Sequence, residues 1–172
     1  MLTNSHDGKN SFQFQAGLYR LICSNGLVIA DEQFESVKMR HMGYSFEDLQ
    51  DMIKEMVGKL PLTVESMNKM KAIEMAEEQI LAFAKDALNA RFTKKEMNRI
   101  EVDLKELTTP TRNEDKGSDL WSVFNVVQEK LIEGDFQYRA GGKVRQARVI
   151  KNFKQDMKIN KKLFNVALEY AA

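Results

Sequence analysis

The sequence predicts an α+β fold, a small antiparallel sheet at the N-terminus packed against several helices. Three observations predict it. Period-two apolar runs fill much of residues 12–41 and are broken by Asn25-Gly26. Apolar positions then recur at helical spacing through 45–107 and 118–170. Hydrophobic residues make up 43% and charged residues 30%, the balance of a chain that buries a core and keeps a solvated surface. At 172 residues, one domain is expected, with a β-rich region over residues 1–42, a helical region over 43–107, and a helical, basic region over 118–172.

In the β-rich region, Phe12, Phe14, Ala16 and Leu18 alternate with Gln13 and Gln15, as in a half-buried strand. Asn25-Gly26 separates two β-rich runs, and both residues tolerate positive φ, so a two-residue hairpin turn is expected. That turn would put Cys23 opposite Val28 and Arg20 opposite Asp31. A third strand is expected within Phe34–His41, where Val37 and Met39 alternate with Lys38 and Arg40.

Ser45 and Asp48 look like a capping pair that opens a helix to about Leu60, which Pro61 should end. Thr63 should cap a longer helix to about Arg91, with Ile73, Ala76, Ile80, Phe83, Ala87 and Leu88 on one stripe. Thr93 and Glu96 form a capping-box pattern for a shorter helix to about Leu104 or Leu107. Thr108–Gly117 reads as an exposed loop. Ser118 should cap a helix over Asp119–Ile132, stopped by Gly134-Asp135. Phe136–Gly142 reads as a turn or loop with Gly141-Gly142 at its tip. Val144–Met157 is ambiguous, and Asn160 should cap a final helix, Lys161–Tyr170.

No run approaches the roughly 18 apolar residues of a membrane span, and the start lacks the basic and apolar regions of a signal peptide. A soluble protein with no membrane partner is therefore expected. The single cysteine, Cys23, excludes a disulfide framework within the chain and any multi-cysteine metal site.

The net charge of +1 hides a polarity: residues 116–172 hold 11 basic and 6 acidic groups, while acids outnumber bases in 1–60 and in 61–115. Between Lys143 and Lys162 there are eight basic residues and one acid, Asp156. Binding follows local potential rather than the sum, so a polyanionic partner is compatible with near-neutrality.

No catalytic machinery is legible, and a non-enzymatic role without a cofactor is expected. His6, Asp7 and His41 are too few and too scattered for a metal site, and a turn plus a strand end accounts for them better. Cys23 beside Ile22 reads as a small buried hydrophobe rather than a nucleophile. Gly141-Gly142-Lys143 lacks the remaining residues of a phosphate-binding loop. Trp121, Asn125 and Glu129 share one helix face and read as a buried polar network, with Arg20 or Arg40 as the expected partner. Lys94, Lys95 and Arg99 could mark a duplex-reading helix, but Glu96, Glu101, Asp103 and Glu106 on the same stretch would repel phosphates.

The basic tail is the strongest functional candidate. Arg139, Lys143, Arg145, Arg148, Lys151 and Lys154 are expected to contact phosphates, and Tyr138 and Phe153 to stack on bases. Cations interleaved with rings suit single-stranded DNA or RNA, where every base offers a π-face.

Several segments carry a resemblance. Ser5-His6-Asp7-Gly8, then Arg20-Leu21-Ile22-Cys23-Ser24-Asn25, then Arg40-His41 resemble the central block of the phage- and plasmid-encoded family called domain of unknown function 932. Trp121, Asn125 and Glu129 resemble its helix motif, and Met157–Ala171 its Asn-x-x-Leu-aromatic ending. The resemblance implies a mobile-element origin and a cytoplasmic setting, and no established activity. Members usually carry further strands before the His-Asp-Gly segment, so the chain is expected to be a short form or the C-terminal portion of a longer protein. An exposed sheet edge, open to pairing with another copy, would follow.

The expectation is thus a non-enzymatic accessory protein of a phage or plasmid that binds nucleic acid, single strands favoured, in replication, recombination or annealing. The alternative is a protein-interaction module, such as an inhibitor of a host defence system, that takes a host or phage protein as partner.

Overall fold

The computed structural model describes residues 2–3, 12–14, 18–19, 26–27, 37–39 and 46–172. The chain divides into two compact units, Met1–Glu65 and Ser66–Ala172.

In the first unit, β1 (Leu2–Thr3), β2 (Phe12–Phe14) and β5 (Val37–Met39) form an antiparallel sheet in the order β1-β2-β5. Two more strands, β3 (Leu18–Tyr19) and β4 (Gly26–Leu27), pair separately. Leu18 lies opposite Leu27 and Tyr19 opposite Gly26. The expected register is therefore corrected: Gly26 sits within a strand, while Arg20, Cys23, Val28 and Asp31 lie outside the described residues. An Asn-Gly signal locates a chain reversal, whereas the strand pairing itself sets the register.

Helix α1 runs over Phe46–Lys71 with Pro61 inside it. The expected stop at Pro61 is thus overturned. A proline removes one hydrogen bond and crowds the preceding turn, which need not end a helix whose flanking residues favour it. The break comes at residues 72–76, where tertiary bonds supply an extended alternative. Met75 N–H donates to the Ser118 carbonyl at 3.0 Å and Leu120 N–H to the Ile73 carbonyl at 2.9 Å. The Ser118 hydroxyl adds a 2.7 Å bond to Glu74.

The core of the second unit is formed by α2 (Glu77–Arg91), α5 (Leu120–Glu133) and α6 (Phe153–Tyr170), each in contact with the other two. Phe83, Ala87 and Leu88 of α2, Phe124, Val127 and Leu131 of α5, and Leu163, Phe164 and Ala167 of α6 are all fully or almost fully buried, and the Phe124 and Phe164 rings meet edge-on at 6.2 Å. Helix α5 is buried around most of its circumference. Asp119 caps it by accepting from Ser122 N–H at 3.0 Å, and Gly134 ends it in the left-handed region at φ 73°, as the Gly-Asp signal predicts.

The location of the sheet is corrected. The three-stranded sheet associated with these helices lies in the C-terminal half, with order β6 (Ile100–Val102), β7 (Gln137–Ala140), β8 (Lys143–Gln146), all antiparallel. Two sequence expectations give way to it. The Thr93–Glu96 box is present, with Glu96 N–H donating to Thr93 Oγ1 at 3.3 Å. However, α3 is only Lys94–Met97, because Ile100–Val102 leave the helix to pair with β7; α4 (Leu104–Thr108) follows. Phe136–Gly142 is mostly strand, with Gly141 and Gly142 as the turn at φ 58° and 75°. Three-residue and polar strands offer too little alternation for a period-two reading. The last helix also starts earlier than expected. Asn152 caps it, accepting from Gln155 N–H at 3.0 Å, and Asn160 is a buried residue inside it.

Candidate nucleic-acid interface

The β7–β8 hairpin sorts the predicted residues by face. Tyr138 pairs with Arg145 and Ala140 with Lys143, while Arg139 pairs with Val144. Alternation then puts Tyr138, Lys143 and Arg145 on one face and Arg139 on the other. Across β6, Arg139 lies opposite Glu101, and its guanidinium is 4.0 Å from that carboxylate. The expected set is therefore split, and Arg139 is the member whose charge is already answered.

On the Tyr138 face a half-open groove of about 450 Å³ is lined by Arg91, Phe92, Tyr138, Arg145, Gln146, Ala147 and Arg148. Its wall is aromatic. The Tyr138 ring meets Phe92 at 5.6 Å, and Phe92 meets the buried Phe136 edge-on at 6.3 Å. Arg91 lies 5.8 Å from the Phe92 ring centre and 5.4 Å from that of Phe136, within cation–π range. It donates hydrogen bonds to the backbone carbonyls of Leu131 and Arg148. The first of these is among the carbonyls that the C-terminus of α5 leaves unbonded. Burial pulls the Arg91 guanidinium below its ordinary value, partly offset by the nearby Tyr138.

The segment after β8 is fixed on the same side. Ala147 N–H donates to the Phe136 carbonyl at 3.0 Å, and Ile150 N–H to the Ile132 carbonyl at 2.8 Å. The Gln146 amide donates to the carbonyls of Gly134 and Phe136 at 2.7 and 3.1 Å. These bonds hold the Arg148 backbone while its side chain stays exposed.

Lys143, Arg145, Arg148, Lys151 and Lys154 are all exposed. None forms an ion pair with a carboxylate among the described residues. Lys151 lies on the link to α6 and Lys154 in its first turn, where half-buried Phe153 opens the helix. These three do not line the groove. Asp156, the lone acid of the basic run, accepts from Asn160 Nδ2 at 2.8 Å rather than pairing with a lysine. Burial raises its pKa; the Asn160 bond opposes this and the Glu133 charge adds to it.

Sequence reasoning missed Arg91 and Phe92, which read only as the junction between two helices. An arginine in a last helical turn followed by an aromatic was the available signal, but nothing in its spacing reveals which carbonyls it reaches.

Trp121, Asn125 and Glu129 share one face of α5, but in place of the expected single network Asn125 and Glu129 bond separately. Asn125 Nδ2 donates to the Trp121 carbonyl at 2.6 Å. The partner of Glu129 is Arg112, at 2.9 Å, which comes from the loop read as exposed. Arg20 and Arg40, like His6, Asp7, Cys23 and His41, lie outside the described residues. Among the described residues no group of three or more His, Cys, Asp or Glu side chains could hold a metal ion. No described helix is long and apolar enough to cross a membrane. The four-residue α3 is too short to present a duplex-reading face, so the helix-turn-helix pattern around Thr93 is not realised.

The family described as Domain of unknown function (DUF932) matches residues 1–164. Two proteins of Escherichia coli (strain K12) are similar over 168 residues, 97% of this chain: UPF0380 protein YafZ at 32% identity and UPF0380 protein YfjQ at 31%. The chain spans about 60% of the length of each. No solved structure matches.

Proposed function

The chain belongs to the family Domain of unknown function (DUF932), which brings no activity with it, and we propose from its own surface that it binds single-stranded nucleic acid. The supporting observation is the set of exposed cations without carboxylate partners among the described residues, Lys143, Arg145 and Arg148, on or beside a groove walled by Tyr138 and Phe92. Phosphates would meet Arg145 and Arg148 at the groove and Lys143 at the hairpin turn. Lys151 and Lys154 would extend the path along the start of α6. A base would rest against the exposed part of Tyr138, and Phe153 offers a second ring. Arg139 contributes least, because Glu101 screens it.

The aromatic wall favours single strands, because an unpaired base can stack on Tyr138 whereas the bases of a duplex are already stacked and paired. The role that fits is a non-enzymatic accessory protein acting in the cytoplasm, on nucleic acid of a phage or plasmid during replication, recombination or annealing. The test is fluorescence anisotropy with a labelled oligonucleotide at two salt concentrations. Binding should weaken steeply as salt rises, because each neutralised phosphate releases counterion. Absence of binding at low salt removes the proposal.

A further inference from the structure

The first unit presents an apolar stripe that the nucleic-acid reading does not use. On α1, Phe46, Ile53, Val57 and Val64 are exposed by 69%, 37%, 58% and 45%. At 100° per residue these four positions fall within about 40° of one another, so they form one narrow line along the helix. Isolated exposed apolar residues are ordinary, whereas an aligned row over about five turns is the seam of a helix pair.

The spacing specifies the occupant. The intervals along the stripe are seven, four and seven, and therefore read the same in both directions. Laid antiparallel on itself about position 55, the helix brings Phe46 opposite Val64 and Ile53 opposite Val57, all four contacts being apolar. A surface complementary to its own two-fold image is what an isologous dimer requires. Charge follows the same order. The first turn is acidic, with Glu47 and Asp48, and the last turn is basic, with Lys69 and Lys71. In that antiparallel register Lys69 and Lys71 lie just beyond the partner's acidic first turn, about 9–14 Å from it along the axis, whereas a parallel pair sets like ends together. We propose that a second copy of this chain covers the stripe, α1 pairing antiparallel with α1 about a two-fold axis at position 55.

Sedimentation equilibrium of the full chain should show a monomer–dimer equilibrium. Ile53→Lys combined with Val57→Lys should weaken self-association about tenfold or more while leaving the helical circular dichroism unchanged. The register has a test that does not depend on weakening the dimer. In a Cys23→Ser background, Phe46→Cys and Val64→Cys are made as separate proteins. Mixed and oxidised, they should form a disulfide-linked pair. Either alone should not, because like positions on the two copies would lie about 27 Å apart along the axis. A monomer at every concentration, a dimer that survives the double lysine variant, or equal cross-linking of either protein alone would each overturn the proposal. So would a monomer whose stripe is protected from hydrogen exchange, since the chain itself would then cover it.

Discussion

Gln128 on α5 donates a 2.6 Å hydrogen bond to Asn160 Oδ1 on α6, with both side chains almost wholly buried. Asn160 passes the link on by donating to Asp156 at 2.8 Å. A polar chain thus crosses an otherwise apolar helix contact. Asn160→Ala should leave the Gln128 amide buried without its partner and destabilise the fold by about 1–3 kcal/mol. Gln128→Leu combined with Asn160→Leu should recover much of that loss, since no donor is then stranded. Urea denaturation of the two variants beside the parent protein checks both statements.

Asp156 sits at the outer end of that chain, and its folded pKa is raised by burial, with Glu133 adding to the shift. A carboxyl with a raised folded value binds its proton more readily when folded, so ionisation costs stability. Stability from this group is therefore lowest at neutral pH. It is gained as pH falls through the raised folded value toward the ordinary value of about 4. Asp156→Asn retains an acceptor for Asn160 and removes the charge. It should raise the thermal midpoint at pH 7 and flatten the pH dependence over that window, as melts from pH 7 to pH 4 would show.

Arg91 ties the end of α2 to the carbonyls of Leu131 and Arg148. Arg91→Ala should cost about 1–3 kcal/mol, because two charge-assisted bonds go and one α5 carbonyl loses its donor. Urea titration measures this. Groove shape depends on the same bonds, so oligonucleotide affinity should fall even below the unfolding transition.

Two glycines with positive φ should respond differently. At Gly134, an added Cβ would lie 2.6 Å from the Arg148 carbonyl carbon, and φ is 73°. Gly134→Ala should therefore destabilise by more than the roughly 1 kcal/mol expected from conformation alone. At Gly141 nothing lies within 4 Å of such a Cβ. Gly141→Asn, a residue that tolerates the left-handed region, should be nearly neutral. Thermal melts of the two variants separate the cases.

Arg145→Ala should weaken binding of a labelled oligonucleotide several-fold and reduce the salt slope by about one unit. Arg139→Ala should change both far less, because Glu101 already opposes that charge.

Local chemistry was legible wherever one side chain decides the backbone. The Thr93–Glu96 box, the Gly134 stop and the Gly141-Gly142 turn all stand where the sequence put them. Expectations failed where partners distant in sequence decide. Pro61 stayed helical, and the helix instead broke at residues that bond to 118–120. Ile100–Val102 left a helical pattern for β7. The exposed cations of the tail were legible as charge, but strand alternation and Glu101 separated Arg139 from the rest, and neither is visible without the register. Arg91 and Phe92 were missed because a helix junction does not reveal what lies across from it.

Lys143, Val144 and Arg145 of β8 face solvent, whereas Gln146 is tied to the Gly134 and Phe136 carbonyls. Under the proposed reading, the three residues that would meet a partner there are therefore not the residues that hold the molecule together. Variation can rewrite the charge of this ribbon, and so the preference of the protein, at almost no thermodynamic cost to folding. Specificity and foldedness can thus evolve on separate residues, and relatives that share this architecture are free to differ in what they bind.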